Sequence, residues 1–240
     1  MRPVIVTGVP RADLAVVDQL AGLGVATVHE AIGRAGYLGP ALRPIQDGVR
    51  VGGTAVTALC WPGDNLMVHA AAEQCRAGDL LVVTATSACT DGMFGELLAT
   101  SLAARGVRGI VVEAGLRDVA ELRAMGFPAW SAGVSAQGTV KETPGAVNVP
   151  VSVGGQIVRP GDAIIADDDG VVCVPRGEVG EALAAARARA AREEDTRRAL
   201  AGGQLGLDLY GLRATLAARG VEYVTAEEYA ARRGDKDGTA

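Results

Sequence analysis

Two segments of the chain carry groups suited to binding a small anion and a metal ion. The first is the glycine-rich run 91–97 (DGMFGEL), and the second, 113–118 (EAGLRD), ends in the pair Arg117 and Asp118. A single strong carboxylate can hold Mg²⁺ or Mn²⁺ mostly through waters, and a guanidinium beside it can stabilise a developing enolate by its charge. The pair therefore indicates metal-assisted catalysis. The alternatives are a structural salt bridge or a helix N-cap formed by Asp118.

The glycine-rich run precedes a predicted helix. Its backbone N–H groups and the positive end of that helix can hold a carboxylate or a phosphate without any basic side chain. Glycine before a helix is also ordinary turn geometry, so the run alone does not establish an anion site. It matches neither a dinucleotide-binding fingerprint nor a Walker loop.

Two predicted strands position these segments. Residues 80–86 (LLVVTAT) and 109–113 (GIVVE) are nearly continuous apolar runs, as expected for strands covered on both faces. The helix between them starts near Phe94 and ends at Arg105, because the following Gly106 is favoured just after a last turn. Strand, loop, helix and strand form a right-handed βαβ unit. We expect both segments to leave the C-terminal ends of adjacent parallel strands and to converge on one crevice.

The flanking sequence predicts further elements. We expect a helix over residues 12–22 and a second helix that Thr27 caps and that continues through residue 32. Two hairpins follow the βαβ unit, one over residues 151–158 with a Gly-Gly turn and one over 163–175 with an Asp-Asp-Gly turn. The aspartates at 167–169 are thus assigned to a turn rather than to a metal cluster. A helix over residues 178–200 and a polar tail after Glu227 complete the chain.

Composition limits the possible functions. The 240 residues are 49% hydrophobic and include 33 glycines, which favours one compact α/β domain with many tight turns. The net charge of −5 and the scattered basic residues argue against a nucleic-acid partner. The four cysteines form no CxxC pair, so we expect a reducing, cytoplasmic location. Pro3, Gly8 and Pro10 interrupt the N-terminus, and no apolar run is long enough to span a bilayer, so we expect neither export nor membrane insertion.

Several long motifs resemble one known family. They are TVHEAIGR, PGDNLMVHAA, GDLLVV, TDGMFGELLATSLAARG, EAGLRDVAEL, FPAWS, AQGTVKET, VNVPV and GDAIIADDDGVVCVP, which together cover most of the chain. They are similar to the class II pyruvate aldolases of the 4-hydroxy-4-methyl-2-oxoglutarate / 4-carboxy-4-hydroxy-2-oxoadipate type.

The resemblance implies the fold and the assembly. The expected fold is the αββα swivelling-domain sandwich, similar to the phosphohistidine domain and shared with the regulator-of-ribonuclease-E-activity family. We expect one aldolase domain with N-terminal helices (1–47), an α/β core (48–175) and a C-terminal helical region (176–240). The resemblance also implies an assembly that is either a trimer or a hexamer formed by two trimers, with active sites between subunits.

The resemblance implies site residues as well. Asp118 matches the metal-binding Asp, Arg117 the pyruvate-binding Arg, and Glu96 an acidic residue near the metal's waters. Glu193, or else Glu194, matches an acidic residue that reaches the metal's water shell in the neighbouring subunit. The residues implied in substrate binding are Asn65, Gly92, Met93, Phe94, Gly95, Leu97, Arg117, His29 and Lys141. His69, four residues after Asn65, is assigned a structural role.

The implied reaction is a retro-aldol cleavage that depends on Mg²⁺, Mn²⁺ or another divalent metal. The substrate is 4-carboxy-4-hydroxy-2-oxoadipate, giving pyruvate and oxaloacetate, or 4-hydroxy-4-methyl-2-oxoglutarate, giving pyruvate, in the degradation of aromatic acids. Oxaloacetate decarboxylation is the expected side activity. A metal-bound water assisted by Glu96 is the sequence-based candidate for the base. The alternative function is a non-catalytic ribonuclease E inhibitor of the same fold, which could dispense with Arg117 and Asp118.

Overall fold

The computed structural model describes residues 2–233 of the chain. The chain divides into two compact units, the first ending at Ala190 and the second beginning at Ala191. The strands are β1 (Val4–Ile5), β2 (Arg43–Pro44), β3 (Val51–Cys60), β4 (Asp79–Ala85), β5 (Gly92–Phe94), β6 (Ile110–Leu116), β7 (Ala129–Val134), β8 (Ala146–Val147), β9 (Val151–Val153), β10 (Gln156–Val158), β11 (Ala163–Asp167) and β12 (Gly170–Val174). The helices are α1 (Leu14–Leu23), α2 (Val25–Ala31), α3 (Leu66–Gln74), α4 (Glu96–Ala104), α5 (Val119–Ala124), α6 (Val179–Ala201), α7 (Gly206–Leu209), α8 (Leu212–Ala218) and α9 (Ala226–Arg233).

The central sheet of the first unit is mixed. Its strands lie in the order β1-β8-β3-β4-β6-β7-β2. Strands β3, β4, β6 and β7 run parallel, whereas β11 pairs antiparallel with both β3 and β12. The predicted βαβ unit is confirmed, because β4 and β6 are adjacent and parallel, with Leu81 opposite Ile110.

Successive side chains of β4 point to opposite faces of the sheet and pack in two different core clusters. In β4, Leu81 and Val83 pack in one core cluster with residues of α3, α4 and α5, whereas Leu80 and Val82 pack in a second cluster with residues of β9 to β12. Side chains of successive strand residues point to opposite faces, so β4 is covered on both sides.

The β11–β12 hairpin repeats this pattern. Ile164 faces the second cluster, and Ile165 packs in a third cluster with residues of α1, α2 and α6. The resulting order of layers is helix, sheet, sheet, helix, and the predicted αββα class is confirmed.

Both hairpins are confirmed. The β9–β10 turn is formed by Gly154 and Gly155, whose φ angles of 56° and 77° suit a two-residue turn that glycine accommodates without strain. In the second hairpin Asp167 pairs with Gly170, and the Asp167 side chain accepts a hydrogen bond from the backbone N–H of Asp169.

The predicted capping of the second helix by Thr27 is wrong. Helix α2 begins two residues earlier, at Val25, and Thr27 lies inside it. The first N–H of α2, that of Val25, donates to the buried Asp167 carboxylate at 2.9 Å. A contact between residues 142 positions apart in sequence therefore replaces the local cap, and the pattern around Thr27 gives no sign of it.

The second unit consists of helical segments with little burial. None of the described residues of α7, α8 and α9 is buried. Thr225 and Glu228 form a reciprocal capping box at the start of α9. Helix α9 extends to Arg233, so part of the predicted polar tail is helical. The rest of that tail lies outside the described residues. Among the residues described, no helix is both long and apolar enough to cross a membrane.

Candidate active site

Arg117 and Asp118 lie directly after β6, at the edge of the sheet where the parallel strands end. The Arg117 N–H donates to the carbonyl of Phe94 at 2.9 Å, which joins the end of β6 to the start of the α4 segment. Asp118 has a left-handed backbone (φ 57°) and precedes α5, but its side chain does not cap that helix. Its Oδ2 instead accepts a hydrogen bond of 3.0 Å from the N–H of Glu96, the first residue of α4.

This contact changes how the α4 terminus can bind an anion. The Asp118 carboxylate accepts a hydrogen bond from the N–H of Glu96. The N–H of Gly92 donates to the carbonyl of Gln137, and that of Met93 donates to the carbonyl of Asp91. The next two N–H groups of the first turn, those of Leu97 and Leu98, have no acceptor within the helix. The glycine-rich run also differs from the prediction, because Phe94 belongs to the short strand β5 and α4 starts at Glu96.

A cavity of about 140 Å³ opens beside Asp118. Its lining residues are Asn65, His69, Gly92, Phe94, Gly95, Leu97, Leu98, Arg117, Asp118, Thr139 and Lys141. The side chains of Arg117 and Asp118 are 47% and 38% exposed, with Arg117 Nε 3.7 Å from Asp118 Oδ2. Most of the residues predicted for the site therefore share one cavity that combines a carboxylate with two cationic side chains.

A larger cavity lies elsewhere, between α2, α6 and strands β10 and β12. Its volume is 420 Å³, and its lining includes Glu178 and Glu181 but no basic side chain. An anionic substrate has no cationic partner in that lining. The smaller cavity beside Asp118 is therefore the better candidate for a site that binds an anionic ligand.

Gly95 and Gly115 are required by close packing at the site. A Cβ on Gly95 would lie 2.3 Å from Asp118 Oδ2, and a Cβ on Gly115 would lie 2.4 Å from the carbonyl oxygen of Thr90. Neither glycine has a positive φ, so the requirement comes from the neighbouring atoms and not from backbone conformation.

Asp64 connects two segments that line the cavity, and the sequence analysis missed it. Its buried carboxylate accepts hydrogen bonds from the N–H groups of Leu66, Glu142 and Thr143. Burial by itself raises the pKa of Asp64, but these three backbone donors outweigh burial and the pKa is lowered. The aspartate thus ties the start of α3, which Asn65 precedes and which carries His69, to the segment that carries Lys141.

His69 is the second residue that the sequence analysis did not assign to the site. It lines the cavity, and the structure gives its side chain no hydrogen bond to another described residue. Burial and the nearby Lys141 lower the pKa of His69, which favours the neutral imidazole. Its spacing of four residues from Asn65 on one helix was the available signal, because such residues share a helix face.

The remaining predicted residues lie apart from this lining. Met93 is fully buried, and Glu96 accepts a hydrogen bond from Thr100 at 2.8 Å. His29 lies in α2, where Nδ1 is 3.0 Å from the carbonyl oxygen of Ala35 and the ring stands against Tyr37. Glu193 lies in the part of α6 that belongs to the second unit.

Comparison with known proteins identifies the family. The family model described as RraA-like, Aldolase/RraA, matches residues 16–173. The chain belongs to this family. It is 29% identical over 200 residues to a Halalkalibacterium halodurans protein named "Putative 4-hydroxy-4-methyl-2-oxoglutarate aldolase", covering 83% of this chain and 95% of that protein. A Burkholderia multivorans protein of the same name is 37% identical over 142 residues, covering 59% of this chain and 86% of that protein.

Solved structures of the family share the fold. Streptomyces coelicolor RraAS2, described as an unusual member of the RNase ES inhibitor RraA protein family, superposes with a TM-score of 0.71 at 32% identity, covering 79% of this chain and 99% of that one. The RNA-processing inhibitor RraA of Thermus thermophilis superposes with a TM-score of 0.57 at 27% identity, covering 62% of this chain and 91% of that one. The family thus includes proteins named as aldolases and proteins named as inhibitors.

The donor set of the site fits a hard divalent cation held largely by water. Within residues 2–233, no three His, Cys, Asp or Glu side chains converge as a metal cage. Mg²⁺ does not need such a cage, because it keeps several waters and is commonly held by one or two carboxylates and the substrate. Asp118 is a partly exposed carboxylate at the cavity, and Oδ1 takes no part in its bond to Glu96.

Proposed function

We propose that this RraA-like chain is a divalent-metal-dependent carbon–carbon lyase that cleaves 4-hydroxy-2-oxo acids carrying a carboxylate at C4. The substrates are 4-carboxy-4-hydroxy-2-oxoadipate, giving pyruvate and oxaloacetate, and 4-hydroxy-4-methyl-2-oxoglutarate, giving pyruvate, in aromatic-acid degradation. The observation that carries the proposal is the shared cavity of Arg117, Asp118 and the first turn of α4. The aldolase names of the relatives support the same class of reaction.

The residues of the cavity have separate tasks in this reaction. The N–H groups of Leu97 and Leu98 and the positive end of α4 bind the C1 carboxylate, and Arg117 donates to the C2 ketone oxygen. Lys141 pairs with a carboxylate at the far end of the substrate. Asp118 would hold Mg²⁺ or Mn²⁺, which supplies a Lewis acid for the pyruvyl group when bound.

Charge stabilisation drives the bond cleavage. Loss of the C4 hydroxyl proton breaks the C3–C4 bond, and the electron pair moves into a pyruvate enolate whose oxygen accepts hydrogen bonds from Arg117. Protonation at C3 then gives pyruvate. Decarboxylation of oxaloacetate produces the same enolate, so we expect it as a side activity. No lysine Schiff base is required.

We further propose that the active form is a trimer or hexamer with a site shared between subunits. Three apolar side chains beside the cavity are strongly exposed: Leu97 (79%), Val134 (67%) and Val140 (52%). Apolar side chains around a charged centre are suited to cover by another protein surface. In this arrangement Glu193 would help to hold the hydrated metal ion bound at Asp118 of a neighbouring subunit. The four cysteines are free, which supports the proposed cytoplasmic location.

Subunit exchange tests the shared site. Asp118→Ala and Glu193→Ala proteins, each inactive alone, are mixed under conditions in which subunits exchange. Mixed assemblies then contain some interfaces with two intact contributions, and partial recovery of activity is expected. Full activity of Glu193→Ala and Glu194→Ala proteins on their own, or verified exchange without recovery, would show that this helix does not contribute to the site.

The second candidate function is inhibition of a ribonuclease E-type enzyme, supported by the description of the Streptomyces coelicolor relative. Assaying one preparation of the protein for pyruvate release and for ribonuclease E inhibition distinguishes the two candidate functions. Pyruvate release from either hydroxy-oxo acid with Mg²⁺, without inhibition of ribonuclease E, supports the lyase. Inhibition of ribonuclease E without pyruvate release supports the inhibitor and refutes the lyase.

A further inference from the structure

The cavity contains one side chain free to accept a proton at neutral pH. Among its lining residues, Arg117 and Lys141 are cations, and the side chains of Asn65 and Thr139 are not bases. The Asp118 carboxylate is held by the N–H of Glu96 and is the proposed metal ligand. His69 is the remaining group that can take up a proton.

The two histidines of the chain are in opposite situations. His29 is held by the carbonyl oxygen of Ala35 and by Tyr37, as a structural histidine would be. The His69 side chain is exposed to the cavity and has no hydrogen bond to another described residue, so both ring nitrogens are available to a ligand. Among the described residues, none forms a hydrogen bond with the His69 side chain that would indicate the predicted structural role.

The backbone around His69 is fixed by hydrogen bonds, so the side chain projects from a defined position on α3. Its N–H donates to the carbonyl of Asn65, whose own N–H donates to Val140. Asp64 adds bonds to Leu66 and Glu142 on the two sides of the same junction. These bonds therefore join the segments that carry His69 and Lys141, and both side chains line the same cavity as Arg117 and Asp118.

We propose that His69 is the catalytic base that removes the C4 hydroxyl proton of the substrate. This inference rests on the proposed aldolase function and names a residue for a step that the function leaves open. The hydroxyl proton moves to an imidazole nitrogen, the C3–C4 bond breaks, C4 becomes a carbonyl and the electron pair enters the pyruvate enolate. The imidazolium then returns the proton to C3, which completes pyruvate and restores neutral His69.

The charges around the ring favour both halves of this cycle. The groups that line the cavity with it are Lys141, Arg117 and Asp118, and Glu73 lies one turn further along α3. Burial and Lys141 lower the pKa of His69, which keeps the resting ring neutral and able to accept a proton. After transfer, the imidazolium stands near the Lys141 ammonium, and their repulsion favours return of the proton. Glu96, the sequence-based candidate for assisting the base, is bonded to Thr100 and absent from the lining.

The test compares two reactions of the same His69→Gln protein. General-base catalysis contributes roughly 10²- to 10⁴-fold, so kcat for cleavage of the hydroxy-oxo acid should fall by about that factor. Oxaloacetate decarboxylation involves no hydroxyl proton, and we expect it to fall by less than about tenfold. Glu73→Gln, an exposed change on the same helix, is the matched control and should retain both activities. Circular dichroism and thermal unfolding verify that both variants are folded.

The pH profile gives a second readout that a structural role would not move. In the wild type, kcat/KM for cleavage should fall as the pH drops through the lowered pKa of His69, which lies below 6.5. That acidic limb should be lost from the residual activity of His69→Gln, and free imidazole should partly restore His69→Ala. If the wild type cleaves the substrate and His69→Gln keeps its kcat and acidic limb, or loses both reactions equally, the assignment of His69 is wrong while the aldolase function stands. A wild type that releases no pyruvate overturns both.

Discussion

Gly95→Ala should separate the function of this site from its folding. The new Cβ would lie 2.3 Å from Asp118 Oδ2 and 3.1 Å from Arg117 Cγ. Ordinary contact begins at about 3.4 Å, so the carboxylate must withdraw by roughly 1 Å. That displacement lengthens its 3.0 Å bond to the N–H of Glu96 and moves the proposed metal ligand.

The cost to stability is expected to be small. The backbone of Gly95 is extended (φ −160°), so alanine meets no backbone strain there. The displaced carboxylate is partly exposed and can be hydrated, so the lost bond costs about 1 kcal/mol. Replacing glycine by alanine also lowers the conformational entropy of the unfolded chain, which stabilises the folded protein by about 0.4–1 kcal/mol. The net change in the free energy of unfolding should therefore stay within about 1 kcal/mol.

The cost to catalysis is expected to be large, because a shift of about 1 Å in a positioning group can reduce the rate about 100-fold. The assay measures kcat/KM for pyruvate release and the urea midpoint of each purified variant. Two other glycines provide controls. A Cβ on Gly133 meets nothing within 4 Å, so Gly133→Ala should keep activity and stability. A Cβ on Gly115 meets the backbone oxygens of Thr90 and Asp91 at 2.4 and 2.9 Å, so Gly115→Ala should unfold readily.

The reasoning is refuted by either of two results. In the first, Gly95→Ala retains wild-type kcat/KM, which would mean that the position of Asp118 is unimportant. In the second, Gly95→Ala loses as much stability as Gly115→Ala, which would make the loss of activity a consequence of unfolding.

Three further substitutions test the site and the fold. Arg117→Lys should lower kcat/KM by at least about tenfold, because an ammonium cannot form the paired hydrogen bonds of a guanidinium, and wild-type kinetics would show that a point charge suffices. The fully buried Asp79 carboxylate accepts hydrogen bonds from Arg11 and Thr54. Asp79→Ala should therefore lower the free energy of unfolding, measured in urea, by about 3–5 kcal/mol. A loss below about 1 kcal/mol would contradict the importance of this hydrogen-bond network. Asp64 has a lowered pKa, so its stabilisation is present above the ordinary value of 3.8 and is lost as the pH falls through the folded pKa. The stability difference between wild type and Asp64→Asn should therefore shrink below that pH, and a constant difference would contradict this assignment.

Local patterns in the sequence predicted the elements that carry the site. The apolar runs of β4 and β6 indicated buried parallel strands, and their adjacency brings Arg117 and Asp118 close to the start of α4. Gly154 and Gly155 predicted a two-residue turn, since few other residues adopt its backbone angles. The order of the four layers came from the family resemblance, because strand patterns do not specify which sheet faces which helices.

Contacts between distant residues escaped prediction for a physical reason. Asp118 was weighed as a cap for the helix that follows it, but it bonds the N–H of Glu96 on another helix. The Asp64 bonds to Glu142 and Thr143 join residues 78 and 79 positions apart, and no periodicity records such a partner. His69 was assigned to structure because a helix position alone does not reveal whether the side chain is paired, whereas the structure places it unpaired in the cavity lining.

The central claim is that Asp118 supports metal-dependent cleavage of a 4-hydroxy-2-oxo acid. The most direct measurement is pyruvate release from 4-carboxy-4-hydroxy-2-oxoadipate by protein stripped with EDTA, followed by titration with Mg²⁺, for wild type and Asp118→Ala. We predict no activity after EDTA, full recovery of the wild type with Mg²⁺, and no recovery of a folded Asp118→Ala protein at ordinary Mg²⁺ concentrations. Undiminished activity in EDTA, or equal recovery of both proteins, would contradict the account.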